Sequence, residues 1–131
     1  MDIDSSDIGY YSNNVIEDSR FIKAFELFNS CEWYKAHDLF EDVWHETFGP
    51  FRQILQALIQ ISVAQLHLEN NNRNGALILY GEALGRLKKT DPSLLDLDFD
   101  LLCFCLESRL NCLQNGTDPE IYPLPFLSLK N

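Results

Sequence analysis

Two ionisable residues one helical turn apart, His37 and Glu41, are the strongest candidates for chemistry in this sequence of 131 residues. Their i, i+4 spacing brings the side chains together if the segment is helical. An imidazole and a carboxylate at this spacing can share a divalent metal ion, form a direct hydrogen bond, or act as an acid–base pair. Metal binding, a structural role and metal-free catalysis are therefore all open interpretations of the pair.

The helical periodicity around this pair predicts that both groups are buried. One arc of a helical wheel over residues 33–48 is apolar and holds Leu39, Val43, Ala36, Phe40, Trp33, Trp44 and Phe48. His37 falls inside this arc between Trp44 and Phe48, and Glu41 falls at its edge between Phe48 and Tyr34. Burial of unpaired polar or charged groups costs on the order of several kcal/mol. We therefore expect a compensating partner or a bound ion.

The next predicted helix carries a narrow polar stripe within an apolar sequence. The stripe consists of Gln53, Gln56, Gln60 and His67. If the two helices are antiparallel about Gly49-Pro50, equal helical rises place Gln60 level with His37 and Gln56 near Glu41. The predicted polar pocket is lined by Tyr34, Trp44, Gln56, Gln60 and His67. The alternative for the two glutamines is hydrogen bonding between helices, and for Trp44 it is a place in the core.

At these residues the sequence resembles the DUF309 family, a domain of unknown function with an all-helical fold. The family motif HxxxExxW is matched by His37, Glu41 and Trp44. Segments 28–29, 33–37, 55–60, 66–67 and 74–76 agree as well, so the resemblance covers about residues 20–90 and continues more weakly through 98–102. It implies a metal-binding role for His37 and Glu41. The sequence departs at Asp38, where Glu is usual, at His45, where Arg is common, and at Ala57, where Gly is common.

The pattern of apolar residues predicts an all-α, single-domain antiparallel bundle of about five helices. The predicted helices cover about 18–29, 32–47, 51–69, 74–89 and 98–113, with Asp98 as a cap of the last. An irregular arm over 1–16 precedes a helical core over 17–114, and an extended, proline-containing tail follows over 115–131. Residues 95–100 alternate like a strand, but a lone strand has nothing to pair with, so we expect a loop. The tail either straps across the core or meets another protein.

Composition and charge exclude several classes of function. The net charge is −10, from 20 acidic and 10 basic residues, which disfavours nucleic acid and anionic membrane surfaces as partners. The uncharged run 53–68 is too short and too rich in glutamine to span a membrane. The four cysteines form no CxxC pair, and the start of the chain lacks a signal-peptide pattern. We expect buried free thiols and a cytoplasmic protein.

Two main hypotheses for function follow, and enzymatic activity is undecided between them. The first is a metal-dependent, hydrolase-like protein in which His37 and Glu41 bind a divalent ion and Gln60 or His67 orients water or substrate. A third ligand would come from His67 or from a second copy in a homodimer. The second is a non-catalytic module that dimerises or docks a partner, with the apolar tail around Phe126 as a docking segment. Binding of a small polar metabolite without turnover would use the same pocket.

Overall fold

The computed structural model describes residues 12–91 and 96–129, which fold into six α-helices and one short 3-10 helix. The α-helices are α1 (Ser12–Glu17), α2 (Ser19–Asn29), α3 (Trp33–Glu46), α4 (Pro50–Glu69), α5 (Arg73–Lys88) and α6 (Phe99–Asn115). The 3-10 helix covers Pro119–Ile121. Each of α2 to α6 packs against the next helix in the chain, and short connections make neighbours from α2 to α5 antiparallel. The predicted all-α bundle is confirmed.

Local sequence signals explain where the helices begin and end. Asp18, Asn72 and Asp98 precede α2, α5 and α6, and each side chain accepts a backbone N–H of the first helical turn. Gly49 adopts a positive φ of 82°. Pro50 follows as the first residue of α4, where a backbone N–H would have no partner within the helix, so its absence in proline costs nothing. The predicted cap at Asp98 is confirmed.

The core is built from residues at helical spacing on the inward face of each helix. On α3 the buried residues are Trp33, Ala36, Phe40 and Val43, which form one narrow stripe. Helix α4 is central, because it buries residues on several sides: Phe51, Ile54, Leu55, Ala57, Leu58, Ile61, Ser62, Ala64 and Gln65. The aromatic rings of Phe21, Phe28 and Phe40 meet edge to face where α2 crosses α3.

The C-terminal tail lies as a strap along the bundle. The Asn29 side chain donates to the carbonyl of Leu127 (2.8 Å) and accepts the Leu127 N–H (2.7 Å). Farther along, the Asp98 N–H donates to the carbonyl of Ser128 at 2.8 Å, and Leu97 and Leu129 form an antiparallel bridge. The tail therefore contributes contacts to the fold.

Three details differ from the sequence-based expectation. Helix α1 lies within the segment predicted to be irregular, and residues 1–11 of that arm lie outside the described residues. The 3-10 helix interrupts the tail predicted to be extended, because Asp118 accepts the N–H of Glu120 and Pro119 fixes the first turn. The alternating segment 95–100 supplies one bridge at Leu97, since the tail provides a partner. Nowhere in the described ranges is a helix long and apolar enough to cross a membrane.

Candidate functional site

Helix α3 brings His37 and Glu41 together as the spacing predicts. His37 Nε2 lies 2.9 Å from Glu41 Oε2, which is hydrogen-bonding distance. The predicted burial is wrong, because 23% of the His37 side chain and 43% of the Glu41 side chain are exposed. The pair is therefore a partly exposed polar site on the surface of the bundle, and solvent can reach it.

The burial prediction fails because the apolar arc of α3 is wider than the stripe that enters the core. Phe48, which flanks both residues on the wheel, is 52% exposed, and Trp44 is only partly buried. His37 and Glu41 lie beside these two aromatic residues and outside the stripe centred on Phe40. A surface helix needs only about a third of its circumference apolar, so residues at the edge of the arc remain at the surface.

The second ring nitrogen of His37 is enclosed. Nδ1 is buried and has no hydrogen-bond partner. Asp38 Oδ1 is 3.2 Å from it, but the approach lacks hydrogen-bond geometry. Asp38 is exposed, so its side chain is free to turn. Nε2 of the imidazole thus lies next to the Glu41 carboxylate, and Nδ1 lies next to the Asp38 carboxylate.

Two more side chains extend this polar surface along α3. His45 Nε2 lies 3.8 Å from Glu41 Oε1, the carboxylate oxygen that does not contact His37. The Tyr34 ring lies 6.1 Å from the imidazole of His37, and Tyr34 is 64% exposed. Tyr34, His37, Glu41 and His45 thus follow one another at three- and four-residue spacing. Tyr34 therefore lies beside the pair at the surface of α3.

Trp44 is covered by an arginine. The guanidinium carbon of Arg52 lies 3.7 Å from the ring centroid of Trp44, and Arg52 Nη1 donates to the carbonyls of Trp44 (2.9 Å) and Thr47 (3.1 Å). Trp44 Nε1 is buried without a hydrogen-bond partner. The indole therefore joins α3 to the start of α4, and its covered face is not open for stacking on a ligand.

The glutamine stripe of α4 does not meet the pair. Gln60 Nε2 donates to Glu82 Oε2 at 3.2 Å, and Gln60 Oε1 accepts from Arg86 Nε at 3.1 Å. Both hydrogen-bond partners of Gln60 therefore lie on α5. In the described part of the chain neither Gln56 nor Gln60 hydrogen-bonds to Glu41 or His37. The helical rise per residue predicts how far along the helix axis these glutamines lie. It does not predict the rotation of α4 about its axis, and this rotation points Gln60 toward α5.

His67 lies at the far end of α4, about 16 Å along the axis from Gln56. Its Nδ1 is 3.2 Å from Asn72 Nδ2, beside the start of α5. A Cβ atom at Gly75 would come within 2.9 Å of the imidazole, so glycine is required for this approach. His67 packs against the first turn of α5 and does not join His37.

Within the residues that the structure describes, the pair has no third side chain placed beside it as a metal ligand. Across residues 12–91 and 96–129 no group of three or more His, Cys, Asp or Glu residues is placed to hold one ion. His45 lies eight residues from His37, about 12 Å along the helix, so both cannot bind one ion from a straight α3. The two donors available are therefore the imidazole of His37 and the carboxylate of Glu41.

A polar network that the sequence analysis missed lies in the core, centred on Arg109 of α6. Arg109 is 0% exposed and its Nε donates to the Tyr80 hydroxyl at 2.8 Å, while that hydroxyl donates to Gln65 Oε1. Its Nη1 donates to the carbonyls of Pro119 (3.2 Å) and Tyr122 (3.1 Å). The network ties α4, α5, α6 and the tail together.

Charge and burial act on the same network. Burial raises the pKa of the Tyr80 phenol to about 12, although the nearby Arg109 charge opposes the rise. Burial also lowers the pKa of Arg109, but its hydrogen bond to Glu120, with Nη2 2.7 Å from Oε1, and its contact with Tyr80 outweigh this and raise it overall. The network therefore holds a charged arginine and a neutral tyrosine at all ordinary pH values.

The four cysteines are free thiols, but their burial differs. Cys105 and Cys112 are buried as expected, whereas Cys31 is exposed, which corrects the expectation for that residue. Cys105 Sγ lies 3.3 Å from the carbonyl of Pro123 and adds a contact to the tail. Burial raises the pKa of Cys103 and Cys105, so both are held as unreactive thiols.

Comparison with known proteins identifies one family. Residues 21–79 match DUF309, a domain of unknown function, which confirms the resemblance over this segment. The matched residues include α3 with His37 and Glu41, all of α4 and the first part of α5. The match ends before α6, so the Arg109 network lies mainly outside it. No curated protein and no solved structure matches the chain.

Proposed function

We propose that the DUF309 domain of this chain binds one divalent metal ion through His37 and Glu41. The observation that carries this proposal is the 2.9 Å approach of His37 Nε2 to Glu41 Oε2 on a face that solvent reaches. An ion can enter a partly exposed site without opening the core, and two donors on adjacent turns of one helix can bind it from one side.

The chemistry of the donors fits such an ion. Imidazole nitrogen and carboxylate oxygen together suit zinc, manganese or iron. Metal-binding histidines usually donate their other ring N–H to a carboxylate, which fixes the ring and its tautomer. Asp38, 3.2 Å from the enclosed Nδ1, is positioned for that role after a small rotation. Its place in the site is to orient His37.

Two protein ligands leave coordination positions open. Structural zinc has four protein ligands and catalytic zinc usually has three, so the remaining positions would go to water, to substrate or to a second copy of the chain. A divalent ion bound here would supply the Lewis-acid activation of water that metal-dependent hydrolases use. Tyr34, exposed beside His37, would offer a ring and a hydroxyl to the bound substrate.

A second candidate is a non-catalytic module that docks a partner or dimerises. It is favoured by the 2.9 Å distance between His37 Nε2 and Glu41 Oε2, since the two side chains already pair with each other without an ion. In that case the exposed ring of Phe126 on the tail would contribute to a docking surface. The two candidates differ in whether the pair binds metal.

Elemental mass spectrometry of protein purified without a metal-affinity tag distinguishes them. We expect a near-stoichiometric divalent metal in the wild type and its loss in His37→Ala and Glu41→Gln. His45→Ala is the matched control, since it removes a histidine from the same helix and should retain the ion. A protein that neither carries nor takes up zinc, manganese or iron on titration would contradict the proposal and favour the docking module.

A further inference from the structure

A cavity of about 780 Å³ lies between the start of α4 and the end of α5. It is lined by Pro50, Gln53, Glu82, Gly85, Arg86, Lys89, Thr90 and Asp91. Its volume falls in the range of small-molecule sites, roughly 300–1,000 Å³. His37 and Glu41 do not line it, so it stands apart from the proposed metal site.

Arg86 is held in a fixed orientation by the glutamines of α4. Its Nε donates to Gln60 Oε1 at 3.1 Å, and its Nη1 donates to Gln53 Oε1. Within the described residues Nη2 has no hydrogen-bond acceptor. Two amides thus fix the plane of the guanidinium while leaving donors for a ligand, and a fixed guanidinium loses little entropy on binding. This is a specific role for the glutamine stripe.

Lys89 places a second positive charge on the same face of α5. It lies three residues after Arg86, and three-residue spacing puts both on one side of the helix. Lys88, by contrast, is paired with Glu107 at 2.5 Å. Lys89 is exposed and forms no ion pair in the described part of the chain. Its ammonium group is free to reach a ligand held by Arg86.

Gly85 leaves the floor of the cavity open. A Cβ atom built at Gly85 would meet no other atom within 4 Å. The lining also holds two carboxylates: Glu82 Oε2 accepts from Gln60 Nε2 at 3.2 Å, and Asp91 has an interaction of its own. Among the described residues that line the cavity, the cationic groups with free donors are Arg86 and Lys89, which favours an anionic ligand.

We propose that this cavity binds a small anion through a carboxylate or phosphate group. The planar guanidinium of Arg86 contacts the anion with its free N–H donors, since guanidinium groups bind both carboxylates and phosphates through paired hydrogen bonds. Lys89 adds a charge-assisted contact from the rim, and Gly85 provides the space. In a chain of net charge −10, such a site concentrates the attraction for anions in one place.

A steric test uses two glycines of α5. Gly85→Leu fills the cavity without changing its charge. Gly81→Leu is the matched control, because Gly81 does not line the cavity and a Cβ atom at this position also meets no atom within 4 Å. Helical side chains lean toward the N-terminus, so Leu at 81 points away from the cavity. We titrate the full chain with inorganic phosphate and, separately, succinate, and follow the Arg86 Nε–H NMR signal at constant ionic strength. Saturable shifts in the wild type and Gly81→Leu, absent in Gly85→Leu, are expected.

A charge test separates the site from general electrostatics. Lys89→Ala should weaken binding about tenfold, as expected for loss of one charge-assisted contact. Lys35→Ala removes the same charge from the exposed side of α3 and should leave affinity within about twofold. Saturation by only one probe supports the proposal and identifies the group recognised. No saturable shift with either probe, or equal weakening in both lysine variants, overturns it.

Discussion

The molecule has two polar clusters of opposite character. The pair on α3, His37 and Glu41, is partly exposed and local in sequence, and it lies within residues 21–79, which match DUF309. The network around Arg109 is centred on a fully buried side chain, joins residues far apart in the chain and lies mainly outside that segment. Buried networks are costly to break, whereas exposed pairs contribute little to stability. We therefore expect Arg109 to contribute much to the stability of the fold and the pair of His37 and Glu41 to contribute little.

The largest expected effect comes from removing the buried charge. Arg109→Met keeps much of the volume but leaves the carbonyls of Pro119 and Tyr122 without their donor. We expect the free energy of unfolding to fall by about 3 kcal/mol, measured by urea denaturation followed by circular dichroism. Lys88→Met, which removes a cation from an exposed pair with Glu107, is the control and should leave the midpoint unchanged. Equal effects of the two substitutions would refute the structural role of the network.

A smaller effect is expected at the hydroxyl that links Arg109 to Gln65. Tyr80→Phe removes it, and we expect a loss of about 2 kcal/mol at neutral pH in the same assay. The folded pKa of about 12 lies above the value near 10 of an unfolded tyrosine. The unfolded state therefore releases its proton first, so Tyr80 makes the wild type lose stability as pH rises from about 10 to 12.

The difference between wild type and Tyr80→Phe isolates this contribution from other groups that titrate in alkali. The stability gap between the two proteins should narrow over that pH interval, because only the wild type carries the phenol. A gap that stays constant from neutral pH to about pH 12 would show that burial does not shift the Tyr80 pKa.

The smallest effect on stability is expected at the exposed pair. His37→Ala and Glu41→Gln should each cost less than about 1 kcal/mol, since exposed i, i+4 pairs contribute only a few tenths. Thermal unfolding in the presence of a chelator measures this without any contribution from bound metal. A loss comparable to that of Arg109→Met would show that the pair is structural and that the contrast between the clusters does not hold.

Much of the fold follows from sequence periodicity. The breaks at Asn29-Ser30 and Gly49-Pro50 and the cap at Asp98 occur where the residue types predict them. Helix α1 was missed because its six residues, SNNVIE, carry too few apolar positions to show a period. Packing on α2, rather than intrinsic propensity, accounts for it.

The candidate site was predicted in part. Contact between His37 and Glu41 depends only on helix geometry, so the spacing predicts it. Burial and the partners of the glutamines depend on how each helix rotates about its axis, which sequence spacing does not determine. Gln60 therefore lies against Arg86 rather than His37. A signal for the buried network was present: Arg109 continues the apolar stripe of Leu102, Cys105, Leu106, Cys112 and Leu113 on α6.

The most direct test combines metal and stability in one experiment. Urea unfolding of the wild type and His37→Ala is measured with zinc or manganese and with chelator. A site on His37 and Glu41 predicts that the ion stabilises the wild type by about 2–3 kcal/mol at a hundredfold excess over Kd and leaves His37→Ala unchanged. With chelator the two proteins should differ by less than about 1 kcal/mol. A large difference with chelator and no response to either ion would show that the pair serves the fold and binds no metal.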